Sequence, residues 1–203
     1  MNINEKIRGI TFWITVMSLC ALITLGHFKV TGVYYDITLA IFGSSALSCL
    51  TAQISYNYDI KKINRTVITN MLQIQTEVKK ILSEYNKTLD YWDEKDFYEA
   101  NSVLRMLIGE FFSYSKTIKF ETGKDIIQFI KSKNITEIYQ SYINLNGNIH
   151  IIGNLLKNDN KESAYKTYRE CIELDKKIIK KIEVLLKNEY GKNFAAINSI
   201  GLL

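Results

Sequence analysis

Proline is absent from the 203-residue chain, so no position removes a backbone donor or wedges a helix open. Cysteine and histidine are nearly absent too. Cys20, Cys49 and Cys171, with His27 and His150, stand too far apart for a metal-type spacing or a disulfide framework. A reducing cytosol for the soluble part is the simple expectation. No H-x-x-x-H pair, G-x-S-x-G elbow or Walker-type loop occurs. The acid run Asp90, Asp93, Glu94 and Asp96 reads as a solvated turn, and His150, among apolar neighbours, as a hydrogen-bonded packing residue. These absences predict a protein that is not an enzyme and that carries no metal and no cofactor.

Charge is missing from two stretches. Gly9–Gly26 has 18 uncharged residues and Ile37–Tyr58 has 22. At roughly 1.5 Å per residue the second reaches about 33 Å, enough for a hydrocarbon core of about 30 Å. The first is longer than the usual apolar core of a signal peptide, has no A-x-A-like site and is followed at once by the second, so it reads as a retained span from about Gly9 to Phe28. The connector His27–Asp36 holds Lys29 as its only fixed positive charge, with Tyr34 and Tyr35 as interfacial anchors. Lys6 and Arg8 on one side, and Lys61, Lys62 and Arg65 on the other, flank the outer ends, which predicts a multi-pass protein with both termini in the cytoplasm. Residues 1–58 are then a two-span transmembrane domain and 59–203 a cytoplasmic one. The latter's 23 Lys/Arg against 19 Asp/Glu are well mixed and demand no nucleic acid.

Within the spans the polar residues are patterned. Ser44, Ser48, Thr51 and Ser55 recur at steps of four, three and four, which places four hydroxyls on one helical face. Thr11, Thr15 and Ser18 share a face of the first span in the same way. Small and hydroxylated residues let helices approach closely, so these residues pack the two spans together, drive oligomerisation, or line a water-filled pore in an oligomer. No ionisable residue lies inside either core, which argues against a proton relay or coupled transporter.

Beyond the second span, Ile60, Ile63, Val67, Met71, Ile74, Val78, Ile81, Tyr85, Leu89 and Trp92 recur at threes and fours. This is a coiled-coil-like seam over a stalk, 59–92, packed either on later helices of the same subunit or around a symmetry axis. On an ideal straight helix Ser48 and Val67 lie some 100° apart, so a shared axis would need a supercoil or break near Tyr58. Helices are expected over Phe97–Phe120, Asp125–Lys131 with Thr122 as N-cap, Thr136–Lys157 and Ser163–Tyr190, the last stopped by Gly191. The class is thus all-α: two N-terminal transmembrane helices, the second continuing into the stalk, and a cytoplasmic bundle (93–190) of about five helices counting the stalk. The tail, 191–203, is small and apolar.

Arg105, Lys116, Lys119, Lys124, Lys131 and Lys133 lie among Phe111, Phe112, Tyr114 and Phe120, cations for phosphate beside rings for stacking. Arg105, Tyr114, Lys116, Lys119 and Lys124 are therefore candidate ligand-binding residues, set against the plainer reading of an ordinary basic helical domain. Tyr165, Tyr168 and Arg169 form a second cluster. Thr122–Gly123–Lys124–Asp125 at a helix start could hold an anion through backbone N–H groups, or be a capped turn.

Two spans, a minimal outer loop and a helical cytoplasmic domain together resemble the small membrane effectors of bacterial anti-phage systems, such as those of retrons, of CBASS and CRISPR nucleotide-signalling systems, and of Hailong. Gly109–Glu110–Phe111–Phe112, Thr122–Gly123–Lys124–Asp125 and Gly147–Asn148–Ile149–His150 are similar to stretches of two-span abortive-infection proteins. The resemblance is architectural and transfers no site residues. It implies a homo-oligomer, with a tetramer as the working expectation, in the bacterial inner membrane. Its soluble domain would sense a nucleotide, an oligonucleotide or a partner protein encoded nearby, and opening would depolarise the membrane. The rival expectation is a membrane-anchored helical scaffold without a pore.

Overall fold

The uncharged second stretch and the patterned stretch after it are one helix. In the computed structural model, which describes residues 3–191, α1 runs Ile3–His27 and α2 runs Val33–Glu84, 52 residues without a break. A 3-10 turn at Leu89–Tyr91 follows, then α3 (Glu94–Ser113), α4 (Ser115–Thr122), α5 (Ile126–Ser132), α6 (Thr136–Lys157) and α7 (Lys161–Tyr190). The described residues contain no strand. Apart from Gly191, the expected tail lies outside them. The chain divides into two units: residues up to Arg65 with Lys116–Asp125, and Thr66–Ser115 with the residues from Ile126 on.

In the first unit, α1 closes with the paired bonds Val30 N–H to Leu25 O (2.9 Å) and Lys29 N–H to Gly26 O (3.1 Å). This closure puts Lys29 at φ 54°, the left-handed region, and Gly32 at φ 97° completes the reversal into α2. Both helices are long and apolar enough to cross a membrane, and only 6% and 11% of their apolar windows are buried.

In the second unit α6 is central, packed on α3, α5 and α7. The stalk stripe lies inside this bundle: Met71, Ile74 and Val78 are fully buried in a single subunit, as are Leu145, Ile152, Ile178 and Ile182. Of the two packings open from the pattern, the fold uses the one within the subunit. α2 ends at Glu84, short of the expected Trp92. The apolar period outlives the helix because Trp92 is inserted from extended backbone among the rings of Phe97, Tyr165 and Tyr168 at 5.1–6.3 Å, while Tyr85 stacks on Phe97 at 4.0 Å.

Other boundaries move for local reasons. The expected helix to Phe120 breaks at Tyr114 (ψ 0°) into α3 and α4, which among the described residues brings the helices outside the apolar spans to six, counting the stalk part of α2. Thr122 does not cap α5. It is the last residue of α4, donating to Ile118 O at 2.6 Å, and Gly123 at φ 69° ends that helix. The acids before α3 do more than solvate a turn, since the Asp93 side chain accepts from Lys95 N–H at 2.9 Å as the N-cap.

Gly147 and Gly153 interrupt nothing. A Cβ at Gly153 would stand 3.0 Å from the Tyr98 ring, whereas one at Gly147 would meet nothing within 4 Å. The close approach of α3 therefore explains Gly153. Gly153→Ala should destabilise the bundle by about 1–2 kcal/mol, and Gly147→Ala should stabilise it by about 0.5–1 kcal/mol, both read by denaturant unfolding.

Candidate functional site

The α1–α2 hairpin sorts the residues of its apolar stretch by face. Toward α1, α2 turns Ser45, Cys49, Ala52 and Tyr56, again at steps of four, three and four. Ser45 and Ala52 are buried, and the Ser45 and Thr15 hydroxyls lie 3.0 Å apart across the pair. Ser18 is buried and Thr11 and Thr15 are half-buried; Thr15 reaches across the pair, whereas the Thr11 and Ser18 hydroxyls donate to carbonyls of α1 itself. Ser44, Ser48, Thr51 and Ser55 occupy a different face, about 100° around the helix. Ser44, Ser48 and Thr51 are exposed and Ser55 is half-buried. Thr51 donates to Leu47 O at 2.9 Å, within its own helix. A third face carries Leu47, Leu50 and Ile54, each more than 60% exposed. Of the seven hydroxyl residues singled out from spacing, the three of α1 are buried or half-buried, as is Ser55, while Ser44, Ser48 and Thr51 are exposed.

At the charged end of the hairpin the Arg8 guanidinium donates to Gln53 Oε1 (3.0 Å) and lies over the Tyr56 ring, 4.8 Å from its centroid. Gln53 in turn donates to Asn57 Oδ1 at 3.0 Å. Spacing alone reads Arg8 as a flanking charge, although Gln53 and Tyr56 at a step of three, beside Cys49 and Ala52, mark the face it meets.

The candidate ligand residues fall in both units. Arg105 and Tyr114 belong to one unit and Lys116, Lys119 and Lys124 to the other. All five are exposed, and Lys119 pairs with Asp125 at 3.1 Å. Phe111 offers no stacking surface, being 1% exposed and stacked on Tyr139 at 4.2 Å. Tyr168 is likewise taken, donating to Leu82 O at 2.6 Å, while Arg169 lies over Tyr165 at 4.9 Å. Thr122 and Gly123 close α4 and Lys124–Asp125 lead into the seven-residue α5, where the Asp125 carboxylate, paired with Lys119, already stands at the helix start.

Arg105 instead lines an open groove of 380 Å³ between α3 and α6, with Asn101, Ile143, Asn146 and His150. Asn101 donates to Asn146 O at 2.8 Å across it. The expectation that His150 is a packing residue does not hold. It is exposed, its ring 5.6 Å from that of Tyr98. Among the described residues no cluster of three or more His, Cys, Asp or Glu could hold a metal.

Within the bundle a polar layer ties α2 to α6 and α7. The Tyr142 hydroxyl is 3.1 Å from Met71 O and 3.3 Å from Gln75 Oε1, and the fully buried Gln75 donates to Asp175 Oδ1 at 2.6 Å. Tyr139 donates to Asn70 Oδ1, whose amide reaches Leu107 O. Burial holds the Asp175 carboxyl above its ordinary range, against the lowering effects of Gln75 and Lys79. The folded state thus favours the protonated acid. Its contribution to stability is complete below the unfolded carboxyl pKa and is lost as pH rises through the raised value. Asp175→Asn, which keeps an acceptor for Gln75, should therefore gain stability over the wild type as pH climbs from about 4 to neutrality, with a flatter pH profile in thermal unfolding.

No family model, curated protein or solved structure matches the chain.

Proposed function

We propose that the protein is a homo-oligomeric membrane effector whose assembled spans form a pore, gated by a ligand or partner protein that acts on the helical bundle. In this reading α1 and the uncharged part of α2 cross a bacterial inner membrane with both termini in the cytoplasm, and opening depolarises the cell in anti-phage defence. One observation carries it. Ser44, Ser48 and Thr51, on one face with the half-buried Ser55, lie within an uncharged stretch yet are left exposed in the protomer. Thr51 already donates to Leu47 O in its own helix, but an exposed stripe of hydroxyl side chains in a span is best matched by another helix or by water, and two spans alone enclose no channel, so both routes call for further copies. The low burial of the apolar windows supports lipid as their surroundings, since the core helix of a soluble protein would be mostly covered.

Gating needs a bundle with two states that its ligand binds unequally. α2 is the natural carrier, because the same helix bears the hydroxyl face and the Met71–Gln75–Val78 core. The absence of catalytic motifs is consistent with a non-enzymatic role. The scaffold reading is favoured by a separate observation: the stalk seam is consumed within the subunit, which leaves no apolar stripe there for self-association.

The test is membrane potential in cells expressing the protein with and without its genomic neighbours. The pore reading expects potential to collapse when the trigger is supplied. A purified protein that stays monomeric in detergent and conducts nothing in liposomes would sink it.

A further inference from the structure

The chain's net charge is unevenly divided. The unit built from residues up to Arg65 and Lys116–Asp125 carries nine Lys/Arg against five Asp/Glu, a net of +4 out of +5 for the whole chain. Apart from Lys29 in the connector, these cations lie outside the uncharged stretches: Lys6 and Arg8 in the first turns of α1, Lys61, Lys62 and Arg65 past the uncharged stretch of α2, and Lys116, Lys119 and Lys124 on or beside α4. α4 thus joins the unit that contains the hairpin, although α3 before it and α5 after it belong to the bundle.

The eight residues of α4 have two faces. Ile118 is 1% exposed and is the buried apolar residue of α4, while Ile63 at 8% is buried in the charged part of α2 in the same unit. Lys116 and Phe120 each stand two residues from Ile118, about 160° around the helix from it. The side opposite the anchor therefore presents a lysine beside an aromatic ring that is 58% exposed, and Lys119 and Lys124 are exposed next to them. Lys119 pairs with Asp125 at 3.1 Å on the surface, a pair that holds little of the charge back. A bare phenyl ring among cations, on a short helix tied to a membrane hairpin, has the composition of an interfacial segment. The ring enters the acyl boundary while ammonium groups meet headgroup phosphates.

We infer that α4 is a lipid-contact helix: its Lys116, Lys119 and Lys124 bind anionic headgroups of the leaflet at the charged end of the hairpin, and Phe120 inserts beside them. The inference rests on the reading of α1 and α2 as spans, and its test separates the two. Wild-type and Phe120→Trp proteins are placed in nanodiscs of zwitterionic lipid, with and without phosphatidylglycerol, made with brominated acyl chains that quench nearby indoles. Trp13, in α1 and 65% exposed, reports on the span itself. The expected result is quenching of Trp13 in every disc, plus extra quenching in Phe120→Trp that grows with phosphatidylglycerol. That increment should be lost when Lys116, Lys119 and Lys124 are changed to Gln. If Trp13 is quenched but Phe120→Trp adds nothing, or its increment ignores both lipid charge and the three Gln changes, the lipid-contact role fails while the spans stand. If Trp13 escapes quenching, the spanning reading fails and takes this one with it.

Discussion

Ser48→Leu should cut ion leak through liposomes carrying the purified protein about tenfold or more, because one leucine in a ring of hydroxyls dewets a narrow path. Thermal stability should hardly change, since Ser48 is exposed in the protomer and makes none of the hairpin contacts of Ser45, Ala52 and Thr15. The paired control is Leu47→Ser on the lipid-side face, which adds a hydroxyl where the pore reading places hydrocarbon and should leave the leak intact. Leak unaltered in Ser48→Leu would favour the scaffold instead.

Ile74→Asp should have the largest effect on folding. Ile74 is completely buried in the bundle, in the same helix as the Gln75 amide that bridges Tyr142 and Asp175. A carboxylate there has no partner and must be desolvated or protonated, a cost of about 4 kcal/mol or more. Ile74→Val, which trims one methylene, should cost only about 1 kcal/mol. The form of the loss matters as much as its size. Because the seam packs within the subunit, Ile74→Asp should unfold the bundle in circular dichroism at any protein concentration. A seam around a symmetry axis would instead dissociate the oligomer first and leave the subunits helical.

The elements legible in the sequence were those fixed by composition over long windows. With no proline and two uncharged runs, both long helices and the all-α class followed directly. α6 begins and ends where the sequence placed it because Asn134 and Asp159, beside helix ends, adopt the left-handed conformation that closes α5 and α6. Spacing also grouped Ser44, Ser48, Thr51 and Ser55 correctly on one face. It could not show that Ser45, Cys49, Ala52 and Tyr56 have the same spacing one face over, nor which of the two stripes meets α1. Only the packing of the hairpin decides that. The same limit applies to the stalk: Val67 and Ile74 read as a seam, but periodicity is silent on whether a seam faces its own subunit or a copy. With the seam inside the bundle, Ser48 and Val67 have no need to share an axis, and their 100° offset ceases to be an obstacle. The ligand set was least legible, because Arg105 and Lys116 are close in sequence yet fall in different units.

The most direct test of the central claim is thiol accessibility along α2. Cys20 and Cys49 are replaced, and Cys171 can remain, since it is fully buried and burial pushes its thiol up to about 12. Single cysteines at Ser48, Thr51, Leu47 and Leu50 are then exposed to a membrane-impermeant thiol reagent in proteoliposomes. A water-lined hydroxyl face predicts that Ser48→Cys and Thr51→Cys react while Leu47→Cys and Leu50→Cys do not. If Ser48→Cys and Thr51→Cys stay as unreactive as the leucine-face positions with the trigger present, or if Leu50→Cys reacts in their place, the face does not line water and the pore account is wrong.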